Sequence, residues 1–316
     1  MQLWLYEFTI QALNTIDFAG FNGSALRGGF GDVLRKLTCH TGLPDCSKCP
    51  SFRDCPFTRI FNIAPPEDDE HFKSETQVPR PFIIEAMKEQ SLTHGQQAKF
   101  RVGLVGKAND DLPYFVLSFQ QLGKLGIGRG RGNFKLVSVT SIDPLGKHLP
   151  VCLYDAAVNM LCPRKAVPVN LEDVCENTQN GKITGVRMIF DSPTLLNRKG
   201  EAPQEAPQFE HIIRGILRRY SDLAALYGEG RPKLEYKELV EDSKRVEMTK
   251  SNIHYKFSRS YSKRKEAITP LQGITGSVDF RGEITPFMPY LIFGQWLHIG
   301  KQATFGMGQY HLEVLN

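Results

Sequence analysis

No apolar run in the 316-residue sequence reaches the ~18–20 positions a helix needs to cross a bilayer. The opening MQLWLYEFTI has no basic stretch and no small-residue cleavage site, so a secretory leader is not expected. At 41% apolar and 23% charged, the composition excludes a wholly disordered chain, a collagen and a coiled coil. Two nucleotide-binding signatures are also missing. The GxGxxG spacing fails in the glycine run after Lys124, because Arg131 stands where it needs glycine. Gly300-Lys301 is no Walker A loop: a glycine five positions earlier is lacking, and Gln302 replaces Ser or Thr. No carboxylate cluster suits Mg²⁺, which argues against a metal-dependent nuclease. The seven cysteines are odd in number and come without an export signal. That speaks against a disulfide framework and for a reducing, cytoplasmic compartment.

What remains is a pattern of strands and helices that occurs twice. Residues 2–13 read as a strand. Ser24 can cap a helix carrying Ala25, Leu26, Phe30, Val33, Leu34 and Leu37 at helical spacing. Residues 81–86 and 98–107 read as strands, 113–122 as a helix, and 124–142 as a glycine loop entering a strand. The second half repeats this with a strand at 183–190, a helix at 209–227, a strand at 271–282, a helix at 286–298, a glycine loop and a strand at 309–314. The first order suits a β-α-β-β-α-β unit, and the second half repeats it in pattern. The expected fold is therefore α+β, with tandem ferredoxin-like domains over 1–145 and 146–316. A cysteine cluster at 39–55 is inserted in the first.

Four segments carry chemistry. In the first glycine loop, Lys124, Arg129, Arg131 and Lys135 surround four glycines with no acid between 124 and 135. Such a loop can cradle phosphates on backbone amides, or it is a twisted hairpin with solvated arginines. Residues 250–265 interleave Tyr255, Phe257 and Tyr261 with Lys250, Lys256, Arg259, Lys263, Arg264 and Lys265, again without an acid. Cations for phosphates and rings for bases favour RNA or single strands; the alternative is a charged edge strand with its aromatics packed beneath. Cys39, Cys46, Cys49 and Cys55 can hold a structural zinc or an iron–sulfur cluster, or are small buried residues. His298 lies beside the second glycine loop (Gly306, Gly308), three residues before Lys301, and His40 adjoins Cys39. Either imidazole could act as a general base, with Lys301 near the phosphate, and either could be a bland loop or helix-end residue.

The segments ALRGGFGDVLRKLTC, CSKCPSFRDCPF, FRVGLVGKANDDLPYFVLSFQQLGKLGIGRGRGNFKLVSV and SRSYSKRKEAITPLQGITGSVDFRGEITPFMPYLIFGQWLHIGKQATFGMGQYHLE resemble the repeat-processing endoribonucleases of the CRISPR-associated RAMP superfamily. The resemblance implies RRM-like domains, CRISPR repeat RNA as partner, and RNA held near a central cleft and the glycine loops. It implies cleavage by 2′-hydroxyl attack without a catalytic cofactor, leaving a 2′,3′-cyclic phosphate and a 5′-hydroxyl. The family's histidine often follows the first helix, as His40 does, while the LHIGK motif favours His298 with Lys301. The rival reading is a non-catalytic RNA-binding subunit, with other CRISPR effector subunits as partners. No membrane partner is expected.

Overall fold

The computed structural model describes residues 1–18, 20–66, 69, 71–72, 78–162, 165–178, 181–196, 205–262 and 267–315. Alternating Leu3, Leu5 and Phe8 make strand β1 (Leu3–Ala12), the centre of the first sheet. After β2 (Ile16–Asp17) comes α1 (Asn22–Thr38), whose Leu26, Phe30, Val33 and Leu34 form the buried stripe the spacing predicts. Next are α2 (Pro56–Ile60), β3 (Phe82–Ile84), β4 (Ser91–Leu92) and β5 (Gln97–Val105). Helix α3 (Leu112–Leu125) starts with proline in its first turn, where the missing N–H costs nothing, and β6 (Phe134–Ile142) follows. These strands lie in the order β3-β5-β1-β6, all antiparallel. Phe8 of β1 stacks on Phe100 of β5 at 5.3 Å, and Phe30 of α1 stacks on Phe115 of α3 at 4.4 Å. This aromatic core fixes both helices to one face of the sheet.

The first sheet runs past the expected boundary at residue 145. β7 (Val151–Asp155) pairs with β6, and β8 (Met160–Leu161) pairs with β7. Pro144 and Gly146 lie in a turn inside the sheet. The Asp143 carboxylate closes that turn by accepting from the backbone N–H groups of Leu145 and His148 at 2.9 and 2.8 Å. Val169 still belongs to this unit, exchanging backbone bonds of 2.9 and 2.8 Å with Leu3.

After α4 (Leu171–Asn177) the second unit uses β9 (Gly185–Thr194), α5 (Phe209–Tyr227), α6 (Tyr236–Ser243), β10 (Glu247–Ser262), β11 (Ala267–Arg281), α7 (Met288–Leu297) and β12 (Tyr310–Val314). Its sheet order, β10-β11-β9-β12, is the same permutation as in the first unit: second, third, first, fourth. Both halves are thus ferredoxin-like. They are joined by a shared apolar cluster. Leu3, Leu5, Ile83 and Val105 from the back of the first sheet meet Tyr220 and Leu223 of α5 and Phe293 and Leu297 of α7. That stretch of the seam is dry and packed. Among the described residues, no helix is long and apolar enough to cross a membrane.

Candidate functional site

The exposed His40 stands just beyond the C-terminal end of α1. Its Nε2 lies 3.1 Å from the Ser51 hydroxyl. Around it gather the four clustered cysteines, all half-buried, each placed at the end of a short regular element. Cys39 follows α1, its backbone N–H still bonded to the Arg35 carbonyl at 2.9 Å. Cys46 and Cys49 bracket a 3₁₀ turn that Asp45 caps by accepting from the Ser47 N–H at 3.0 Å. Cys55 immediately precedes α2. All four line one cavity of about 20 Å³, together with Arg35, His40, Thr41 and Ser51. Arg35 is held at its post by donating to the Leu43 and Pro44 carbonyls at 2.7 and 3.0 Å. The backbone hydrogen bond from Gly42, helped by Thr41, holds the Cys39 thiol below its ordinary pKa, whereas burial pushes the Cys46 thiol up. Among the described residues, no three cysteine, histidine or carboxylate side chains converge on one point.

The first glycine loop is a rigid projection. Helix α3 stops at Gly126, which takes φ 78° where a side chain would be strained. Asn133 caps the exposed helix end, its amide donating to the Gly123 and Lys124 carbonyls at 3.3 and 2.8 Å. The loop closes through Ile127 N–H to Gly132 O at 2.9 Å and anchors on β2 through Arg129 N–H to Asp17 O at 2.7 Å. Lys124, Arg129, Arg131 and Lys135 all point to solvent.

The basic, aromatic stretch is the outer half of a long hairpin. β11 pairs with β9 only from Ile274 inward, while β10 and β11 continue pairing out to Ser262 and Ala267. Tyr255 and Phe257 share a face of β10 and are 40% and 54% exposed; Lys256, on the other face, is exposed too. Tyr255 and Phe257 are therefore not buried beneath the strand. β10 runs close to α1, and the Gln302 amide reaches the hairpin at the Pro270 carbonyl, 3.5 Å away. Arg259 and Tyr261 pair in the backbone register with Pro270 and Ile268. Their side chains, and all of Lys263, Arg264 and Lys265, lie outside the described residues.

The second glycine loop corrects two expectations. His298, expected to serve as base or acid, has 0% exposure. The chain turns at φ 58° after α7 and drives the ring inward. Its Nδ1 faces the Met307 carbonyl at 3.0 Å, so that nitrogen carries the proton, and Nε2 looks at Glu85 Oε1 across 3.7 Å. Lys301, three residues on, is exposed, so the structure sets the two in different surroundings. Gly306 and Gly308, expected to touch RNA, are buried, and their N–H groups bond the Ala303 and Pro193 carbonyls at 2.9 and 3.1 Å. A Cβ on Gly306 would stand 2.7 Å from Ala86 N, beyond the end of β3. Gly306 lets the two units touch, Gly308 lets the loop close on Ile299, and both amides are taken by carbonyls.

The residues that make this seam carry no local signature. Glu85 accepts from the Gln309 amide at 3.2 Å. Buried Asn22 accepts from the Met87 N–H and donates to the Met87 and Glu89 carbonyls, all at 2.9 Å. The Arg27 guanidinium lies 4.0 Å from the Phe61 ring centre and 4.5 Å from that of Phe305, bridging the units by cation–π contacts. The arginine in ALRGGFG was the one available hint.

Comparison with known proteins places this architecture. The family model AF_1859_N, an N-terminal domain, matches residues 1–166, and the model of the CRISPR-associated endoribonuclease Cas6 matches residues 188–310. Among solved structures, the partial Cas6-RT-Cas1–Cas2 complex superposes with a TM-score of 0.61 at 12% identity, covering 99% of this chain and 46% of that one. Thermus thermophilus Cas6 (TTHB231) gives 0.54 at 11%, covering 99% and 98%. The Cas6 (TTHA0078) product complex gives 0.53 at 15%, covering 99% and 100%. At such identities the likeness is one of fold, and the chain spans less than half the length of the Cas6-RT-Cas1 relative. No curated protein matches the sequence. Residues 1–166 thus belong with the AF_1859_N family of N-terminal domains and residues 188–310 with the CRISPR-associated Cas6 endoribonucleases, whose tandem fold the whole chain shares.

Proposed function

We propose that the protein cleaves CRISPR repeat RNA through attack of a 2′-hydroxyl on the neighbouring phosphate, with His40 as general base and no metal ion in the chemical step. The observation that carries this is the contrast between the histidines. His40 is exposed and oriented by Ser51, whereas His298 is sealed in the seam. With Nε2 engaged by Ser51, Nδ1 is the ring atom left to take the 2′-hydroxyl proton. The freed oxygen closes on phosphorus, the 5′-oxygen leaves with a proton, and the products are a 2′,3′-cyclic phosphate and a 5′-hydroxyl. The β10–β11 hairpin supplies stacking faces and cations for the strand, with exposed Lys301 beside its base. Arg129 and Arg131 give a second phosphate contact. Other proteins of the CRISPR system are the partner class this reading implies, and a cytoplasmic setting goes with it.

The test is single-turnover cleavage of repeat RNA. His40→Ala should slow it about 10²–10⁴-fold, the usual loss for a general base, with RNA affinity nearly unchanged. A 2′-deoxy nucleotide at the cut site should abolish it. Cleavage of that deoxy substrate, or loss of all cutting on removal of Mg²⁺, would overturn the mechanism. Tight binding without any cleavage would point to a non-catalytic subunit.

A further inference from the structure

We propose that Cys39, Cys46, Cys49 and Cys55 bind a single zinc ion, and that this ion positions His40. The four thiols come from three separate element ends: the close of α1, the Cys46–Cys49 turn and the entry to α2. They nevertheless open on one cavity. Its volume of about 20 Å³ exceeds the ~10–15 Å³ of one water-sized sphere, room enough for one ion. Cys-x2-Cys on a tight turn is the ligand spacing of structural zinc sites, and four thiolates complete a tetrahedron with no position open for water. The sulfurs line the cavity without converging on one point, so binding draws them together, and the four thiol protons are released to solvent.

The surroundings fit a site of net negative charge. Arg35 lines the same cavity, pinned by the Leu43 and Pro44 carbonyls. The Thr41 hydroxyl lies 3.4 Å from Cys49 Sγ and 4.0 Å from Cys39 Sγ, placed to donate to a coordinating thiolate. Four thiolates fill the tetrahedron without His40, whose Nε2 is engaged by Ser51. His40 directly follows one ligand, and Ser51 sits between two others in sequence. An ion holding Cys39, Cys49 and Cys55 therefore also holds the His40–Ser51 pair. This positioning role rests on His40 being the base; the ion site does not.

Titrating the reduced full-length protein with Co²⁺ tests the site without any variant. The expected result is one equivalent bound, with sulfur-to-cobalt charge-transfer absorption and tetrahedral visible bands, both erased by zinc. Cys49→Ser should lower the stoichiometry toward zero, while Cys175→Ser should leave it at one. Absence of the thiolate bands, or four thiols reacting freely in the presence of one equivalent of zinc, overturns the site. For the positioning role, the His40 ring resonance should shift on zinc binding. Zinc-free protein should lose cleavage rate at unchanged RNA affinity. Full-rate cutting by zinc-free protein overturns the positioning role alone. Full-rate cutting by His40→Ala refutes the base assignment and leaves the ion site standing.

Discussion

The loop from Gly126 to Gly132 and the loop from Ile299 to Gly308 share the same ingredients. Gly126, Gly128 and Gly130 in one, and Gly300, Gly306 and Gly308 in the other, all have left-handed φ near 80°. Both loops join the last helix of a ferredoxin-like unit to its last strand. They differ in what they press against. In the first, a Cβ on Gly128 or Gly132 would meet the Asp17 or Thr15 carbonyl of the same unit, while Gly130 faces open space between two exposed arginines. In the second, Gly306 meets the backbone after β3 of the other unit, and Gly308 meets Ile299 O. Glycine thus serves close backbone approach in both. Only the first loop keeps a glycine with open space around it, set between two exposed arginines.

The largest effect that tests this contrast is on stability. Gly308→Ala would put a Cβ 1.8 Å from Ile299 O at φ 77°, and we expect a loss of roughly 2–4 kcal/mol in denaturant unfolding. His298→Ala should come next, costing about 1–3 kcal/mol because it leaves a cavity and bares Glu85. The folded fraction should still cut RNA at the wild-type single-turnover rate; a rate loss comparable to that of His40→Ala would restore His298 to the chemistry. Replacing Arg129 and Arg131 together by Ala should leave the melting curve in place. It should weaken RNA binding and flatten the salt slope by about 0.7 for each phosphate that is no longer neutralised. An unchanged slope would mean that this tip does not touch RNA. Gly130→Ala is the mildest change. No neighbour is crowded, and only the left-handed backbone costs, about 1 kcal/mol.

The periodic elements could be read from the residues alone. The alternation in β1, the apolar stripe of α1 and the doubled β-α-β-β-α-β order are local signals, and the structure realises them. What could not be read depends on distant partners. His298 looks like an exposed helix-end residue because nothing near it in sequence announces Met307 O and Glu85 closing over it. Nothing near residue 145 in sequence announces that β7 pairs back onto β6 and continues the sheet. The candidate site was partly legible. His40 and the cysteines were visible as neighbours in sequence, but Ser51, which orients the ring, was not.

The apolar cluster at the seam bears on how the molecule melts. Leu3, Leu5, Ile83 and Val105 would face water if the second half were cut away, and Tyr220, Leu223, Phe293 and Leu297 would lose their cover in turn. Repeated domains usually remain autonomous, able to be separated, shuffled or lost one at a time. Here the two copies have surrendered that autonomy. Calorimetry should show one cooperative transition for the pair, and neither half should be recoverable as a folded fragment. Any rearrangement of this chain during evolution would have had to carry both copies together.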